Sequence, residues 1–232
     1  EELIPAMGCT EPIALAYAAA VARKTLGEMP DKVVVEASGS IIKNVKSVIV
    51  PNTGHLKGIN AAAAAGIVAG DPDKKLEVIA TVSQEQIRQM KQFMEEVPIQ
   101  VVHMEDGCTF DIIVTVFSGK SYAKVRIANF HTNIVLIEKN GEVLKSEAVS
   151  DDSEEGLTDR TLLDMEHIWD FAMTADIDDV KALLDQQVAF NVAIAEEGIK
   201  NDYGANIGKV LLDMDGNNVR VRAKAMAAAG SD

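Results

Sequence analysis

From residue 99 onward the chain changes its grammar. Segments 99–103, 110–117, 122–128, 133–138 and 142–145 alternate or run apolar at strand length. Between them stand Ser118-Gly119-Lys120-Ser121 and Lys139-Asn140-Gly141, which carry hairpin-turn chemistry. Connections this short join antiparallel neighbours, because a parallel crossover needs a dozen residues or more.

The flanking sequence reads differently. Residues 11–26 carry Ile13, Leu15 and a run of alanines at helical composition, with Pro12 suited to a first turn and Gly27 to a stop. Segment 32–37 reads as a buried strand, 40–50 fits strand or helix, and 51–54 is a turn. An alanine-rich helix is expected over 56–69 and a short strand over 76–80. Ser83 and Gln86 stand at capping-box spacing ahead of a helix over 83–96. Beyond the acidic run Asp151-Asp152-Ser153-Glu154-Glu155, which reads as a solvated loop, helices are expected over 161–174, 177–197 and 219–229. The fold class is α+β, with helical portions at both ends and an inserted, mostly antiparallel β-sheet subdomain. The expected divisions are a mainly helical portion 1–96, a sheet subdomain 97–148 and a helical portion 149–232.

Composition narrows the function. Hydrophobic residues make up 47% of the 232, enough to fold a core, while aromatics are only 4%, so that core rests on small aliphatics. A net charge of −14 excludes a binder of the nucleic-acid phosphate backbone. No apolar run reaches the ~18 residues of a membrane span and no secretory leader is visible, so the expected compartment is the cytoplasm. Cys9 and Cys108 sit in no CxxC arrangement, which argues against a disulfide framework and excludes an all-cysteine zinc site.

Several motifs fail on inspection. Gly119-Lys120-Ser121 lacks the upstream glycine of a P-loop, since position 114 is Val. Asp213-Met214-Asp215-Gly216 has its glycine two positions early for a calcium loop and reads as a turn. Gly204-Ala205-Asn206-Ile207-Gly208 lacks the third glycine of a dinucleotide fingerprint. Of the four histidines, His131 stands out because His131-Thr132-Asn133 breaks the sheet's apolar pattern with three hydrogen-bonding side chains.

Gly8-Cys9-Thr10-Glu11-Pro12 is the segment that carries chemistry. It sets a cysteine just ahead of a helix start, where unpaired N–H groups favour an anion and a thiolate. A buried cysteine beside a helix cap is an equally good local reading.

Together with Ile-Ala-Leu-Ala-Tyr-Ala-Ala-Ala, which follows it, this motif resembles the N-terminal signature of the L-cysteine desulfidases and of the related serine-dehydratase-alpha-like family. The stretches Val-Glu-Ala-Ser-Gly-Ser-Ile-Ile-Lys-Asn at 35–44, Val-Pro-Asn-Thr-Gly at 50–54 and His-Thr-Asn-Ile-Val at 131–135 agree, as does Ala-Lys-Ala-Met-Ala-Ala-Ala-Gly-Ser-Asp at 223–232.

The resemblance implies a [4Fe–4S] lyase that converts L-cysteine to sulfide, ammonia and pyruvate. Cys9 matches the family's first cluster ligand. Cys108 matches neither of the other two, which lie in a C-terminal part, so these 232 residues are expected to be an N-terminal portion that binds no cluster and is inactive by itself. Thr10 and Glu11 would orient Cys9 or cap the helix, with Thr10 also a candidate substrate contact. Asn52, Thr53 and Gly54 offer donors for a carboxylate; Thr132 and Asn133 are candidate amino-acid contacts, and His131 is the candidate base. Asn44 and Lys43 are weaker candidates. The partner expected is a small amino acid, and exposed Ala-rich helices leave a homo-oligomer open. The rival expectations are a serine-dehydratase-like elimination and a non-catalytic amino-acid-binding or assembly protein.

Overall fold

The computed structural model describes residues 8–149, 161, 163–202 and 206–215. They fall into two compact units, divided between Ser153 and Glu154.

In the first unit, helix α1 (Thr10–Leu26) runs into strand β1 (Lys32–Ser38) and the short helix α2 (Gly39–Val45). Helix α3 (Gly58–Ala69), a 3₁₀ turn (Pro72–Glu77) and helix α4 (Gln84–Glu96) lead to strand β2 (Ile99–Met104). Strands β3 (Asp111–Ser118), β4 (Ser121–Ala128), β5 (Ile134–Lys139) and β6 (Glu142–Ser146) complete it. They form one six-stranded sheet in the order β2-β1-β3-β4-β5-β6. Only β1 and β2 pair in parallel, across the long connection that carries α2, α3 and α4; the other pairs are antiparallel. The fold is α+β with a mostly antiparallel sheet, as its sequence pattern predicts. The sheet is not confined to residues after 97, however. β1 lies between β2 and β3, so the early helices and the sheet share one core instead of parting at residue 96.

That core is built on small residues. α1 packs on β3 and β4 and against α3, and every residue from Pro12 to Ala20 is buried. The facing sheet surface comes from alternate strand positions: Ile112, Val114 and Val116 on β3, Ala123, Val125 and Ile127 on β4, all fully buried. With so few aromatics, close backbone approach replaces bulk. A Cβ added at Gly66 of α3 would lie 2.0 Å from the carbonyl oxygen of Ala16 on α1, so glycine is what lets the two helices meet. Alanines at 61–65 of α3 are all buried as well.

Local signals set the element ends. Cys9 precedes α1, and Gly27 closes it in the left-handed conformation, its N–H reaching the Arg23 carbonyl. Ser83 and Gln86 form a complete capping box on α4. The 40–50 ambiguity resolves as helix α2 followed by an isolated bridge between Ile49 and Lys57. The strand expected over 76–80 is absent. Asp71 accepts from the Asp73 N–H and Pro72 follows directly, and this capped start drives the chain into a 3₁₀ turn.

The second unit contains α5 (Met165–Thr174), α6 (Ile177–Lys200) and α7 (Ile207–Asp215). Asp164 and Asp176 accept backbone N–H bonds at the starts of α5 and α6. Asp213 and Met214, expected in a turn, belong to α7. The helix expected over 219–229 and the acidic run 151–155 lie outside the described residues. No helix among the described residues is long and apolar enough to cross a membrane.

Candidate functional site

The first turn of α1, helix α2 and the β4–β5 turn converge on one small polar cluster. Gly8 has a φ of 127°, a conformation that turns the chain into the helix and leaves Cys9 as its N-cap. The Cys9 side chain does not cap the helix. Its Sγ donates instead to Glu11 Oε2 at 3.2 Å, while Glu11 Oε1 accepts from Asn44 Nδ2 of α2 at 3.0 Å. Glu11 thus bridges Cys9 and Asn44. Cys9 is part-exposed, not packed in an apolar interior.

On the next residue, Thr10 Oγ1 and His131 Nε2 share a 2.8 Å hydrogen bond. His131 belongs to a compact turn between β4 and β5 in which Asn129 N–H donates to the Phe110 carbonyl and Asn133 N–H to the Phe130 carbonyl. Its imidazole leans on the Phe110 ring, with centroids 4.4 Å apart and planes tilted by 58°. Half-burial pushes the His131 pKa below the ordinary imidazole range, and the nearby Glu11 charge pulls it back only in part. For Glu11, burial pushes upward. The bonds from Cys9, its own backbone N–H and Asn44, with the charge of His131, outweigh that, so its carboxyl sits below the usual carboxylate range.

The structure therefore brings together Cys9, Thr10, Glu11, Asn44 and His131, five of the residues singled out from sequence, and adds Phe110. It treats the others differently. Thr53 is fully buried and its hydroxyl donates to the Val50 carbonyl at 2.7 Å. Asn52 Nδ2 donates to the carbonyls of Ile79 and Ala80, each at 3.1 Å, and a Cβ added at Gly54 would lie 3.2 Å from Ile87. In the 51–54 turn the side-chain donors of Asn52 and Thr53, expected to receive a carboxylate, are given to backbone carbonyls. Asn133 likewise gives its side-chain amide to the Ala128 carbonyl at 3.0 Å. Thr132 is half-buried in the same turn as His131.

Below this turn lies a charged pair that no local pattern announces. Asp111, at the start of β3, has a fully buried side chain, and Arg126 of β4 reaches it with both Nε (2.9 Å) and Nη2 (2.6 Å). Asp111 Oδ2 also accepts from the Cys108 N–H at 3.3 Å. Cys108 is buried with Ala128 and Val135. A shallow groove of about 280 Å³ on the sheet is lined by Val34, Glu36, Thr115, Phe117, Tyr122 and Lys124, and holds none of the sequence-derived candidates.

The residues present do not by themselves fit a four-iron cluster. The chain has two cysteines, Cys9 and Cys108, and they occupy different surroundings. Among the described residues no group of three or more His, Cys, Asp or Glu is arranged to hold a metal ion.

Comparison with known proteins gives relatives along the whole chain. It is 56% identical over 232 residues to a UPF0597 protein of Desulfitobacterium hafniense, covering all of this chain and 54% of that protein. It is 46% identical over 231 residues to a UPF0597 protein of Lachnoclostridium phytofermentans and 44% identical over 238 to one of Fusobacterium nucleatum, covering 55% and 56% of them. The chain spans about half the length of the curated relatives it matches. No family model and no solved structure matches it.

Proposed function

We propose that the Cys9–Glu11–Asn44 and Thr10–His131 cluster is one side of the active site of an amino-acid lyase, with L-cysteine as substrate and sulfide, ammonia and pyruvate as products. The observation that carries this reading is the Thr10–His131 hydrogen bond. It joins the Gly-Cys-Thr-Glu-Pro motif to the His-Thr-Asn turn across 121 residues of sequence, and these are the two segments in which the resemblance and the local chemistry coincide.

His131 is the base. Its lowered pKa keeps the imidazole neutral near pH 7, and Thr10 fixes the ring at Nε2. Removal of the α-proton expels sulfide by cleavage of the Cβ–S bond. The aminoacrylate left behind takes up water and yields pyruvate and ammonia. In the longer protein Cys9 would hold one corner of a [4Fe–4S] cluster as a thiolate ligand, with the remaining ligands supplied from outside these 232 residues, and this portion would be inactive unaided. Glu11, anchored by Asn44, sets where the sulfur points. A cytoplasmic setting goes with this reading, because the ligand thiols must stay reduced.

The test is anaerobic reconstitution of a full-length protein with iron and sulfide, followed by assay of sulfide release from L-cysteine. Cys9→Ala is expected to abolish the visible cluster absorbance, and His131→Asn to keep the absorbance while losing turnover. Pyruvate from serine without sulfide from cysteine would replace the substrate with a β-hydroxy amino acid. Full cluster absorbance in Cys9→Ala would refute the ligand role, and absence of a cluster in the unaltered protein would end the lyase reading.

A further inference from the structure

Helices α5 and α6 lack the burial that ordinarily holds a helix in place. α5 has no buried residue, and in the 24 residues of α6 only Ala195 and Gly198 are buried. Short helices draw most of their stability from tertiary packing of an apolar face, and such a face is present here. Ile177, Val180, Leu184 and Val188 recur at spacings of three and four along α6, with Leu183 and Phe190 beside them. Val188 is 61% exposed and Trp169 of α5 68%. Outside this unit the exposed large apolar side chains among the described residues are Met29, Val101, Val143 and Leu144, scattered rather than aligned. A row of this size marks a contact surface.

We infer that the apolar face of α6 is the seat of the portion of the full-length chain that lies outside these 232 residues. The matched relatives carry nearly as much chain again as this one, since it covers 54% to 56% of them. That portion has the length to cover two helices. A second copy of this chain is the poorer occupant. The opposite side of α6 bears Asp178, Asp185 and Glu196, flanked by Asp179 and Glu197, and each copy carries a net charge of −14, so self-pairing sets like charges together. This inference stands independently of the lyase reading.

Hydrogen exchange read by mass spectrometry, on the 232-residue chain and on a full-length protein of the relatives' length, tests it. Peptides of 177–200 are expected to exchange at least about tenfold more slowly in the full-length protein, while those of α1 and α3 stay unchanged in both. Leu184→Asp with Val188→Asp in the full-length protein is expected to return α6 to the fast exchange of the shorter chain, with α1 and α3 still protected as the control for folding. Equal exchange of α6 in the two proteins overturns the inference. So does protection of the 232-residue chain that grows with its own concentration, which assigns the face to a second copy.

Discussion

Thr10 and His131 are joined side chain to side chain at 2.8 Å, although 121 residues separate them. The bond ties the first turn of α1 to the turn after β4, so the helix entrance and the far edge of β4 keep a constant relation. Thr10→Val removes the hydroxyl at nearly constant volume. It is expected to cost about 0.5–1.5 kcal/mol in urea unfolding and to broaden the His131 ring resonances as the imidazole loses its anchor. Unchanged stability together with unchanged ring resonances would show that the bond does not form in solution.

Acid should loosen this cluster in two stages. His131 is held below its ordinary pKa, so the unfolded chain binds the proton more readily, and stability falls as the pH drops through about 6.5 toward the lower folded value. Glu11 also sits below its ordinary range, and its contribution is present at neutral pH and lost further down, below about pH 4.5. His131→Phe is expected to erase the first stage and leave the second. A stability profile that rises on acidification between pH 7 and 5, with that rise absent in His131→Phe, would contradict the assignment.

Gly66 is a point of backbone contact in the core, with the Ala16 carbonyl 2.0 Å from where a Cβ would stand. Gly66→Ala improves helix propensity yet forces two backbones apart. The expected net loss is about 1–3 kcal/mol by chemical denaturation. A stabilised Gly66→Ala protein would mean that α1 and α3 are not in backbone contact.

Asp111 is fully buried and depends on Arg126 for its charge balance. Arg126→Leu leaves that carboxylate without a counter-charge and is expected to cost about 3–5 kcal/mol at neutral pH. Asp111→Asn with Arg126→Leu should recover part of the loss. Equal stability of the single and double variants would show that the pair is not coupled.

Much of the architecture was legible because it is written in short-range chemistry. The hairpin at Asn140-Gly141 closes with positive φ at both residues, as a two-residue turn between twisted strands requires. Ser83 and Gln86 cap α4 from three residues apart. The Leu76–Ala80 misreading arose where a proline and an Asx turn outweighed a short apolar run. For the site, Cys9 stood out because a helix start is locally marked, and His131 because three polar residues interrupted a strand pattern.

What no window of sequence conveys is which distant segments meet. Glu11 finds Asn44 across 33 residues and Arg126 finds Asp111 across the β3–β4 hairpin. Asn52 and Thr53 carry the right donors for a ligand, yet the fold turns them onto backbone carbonyls. Periodicity, turn residues and caps act over three to eight positions, so the chain's own order settles element type and length. The pairing of side chains waits on strand order and helix packing, where the gain comes from burying surfaces far apart in sequence; that step made β1 an inner strand and set His131 beside Thr10.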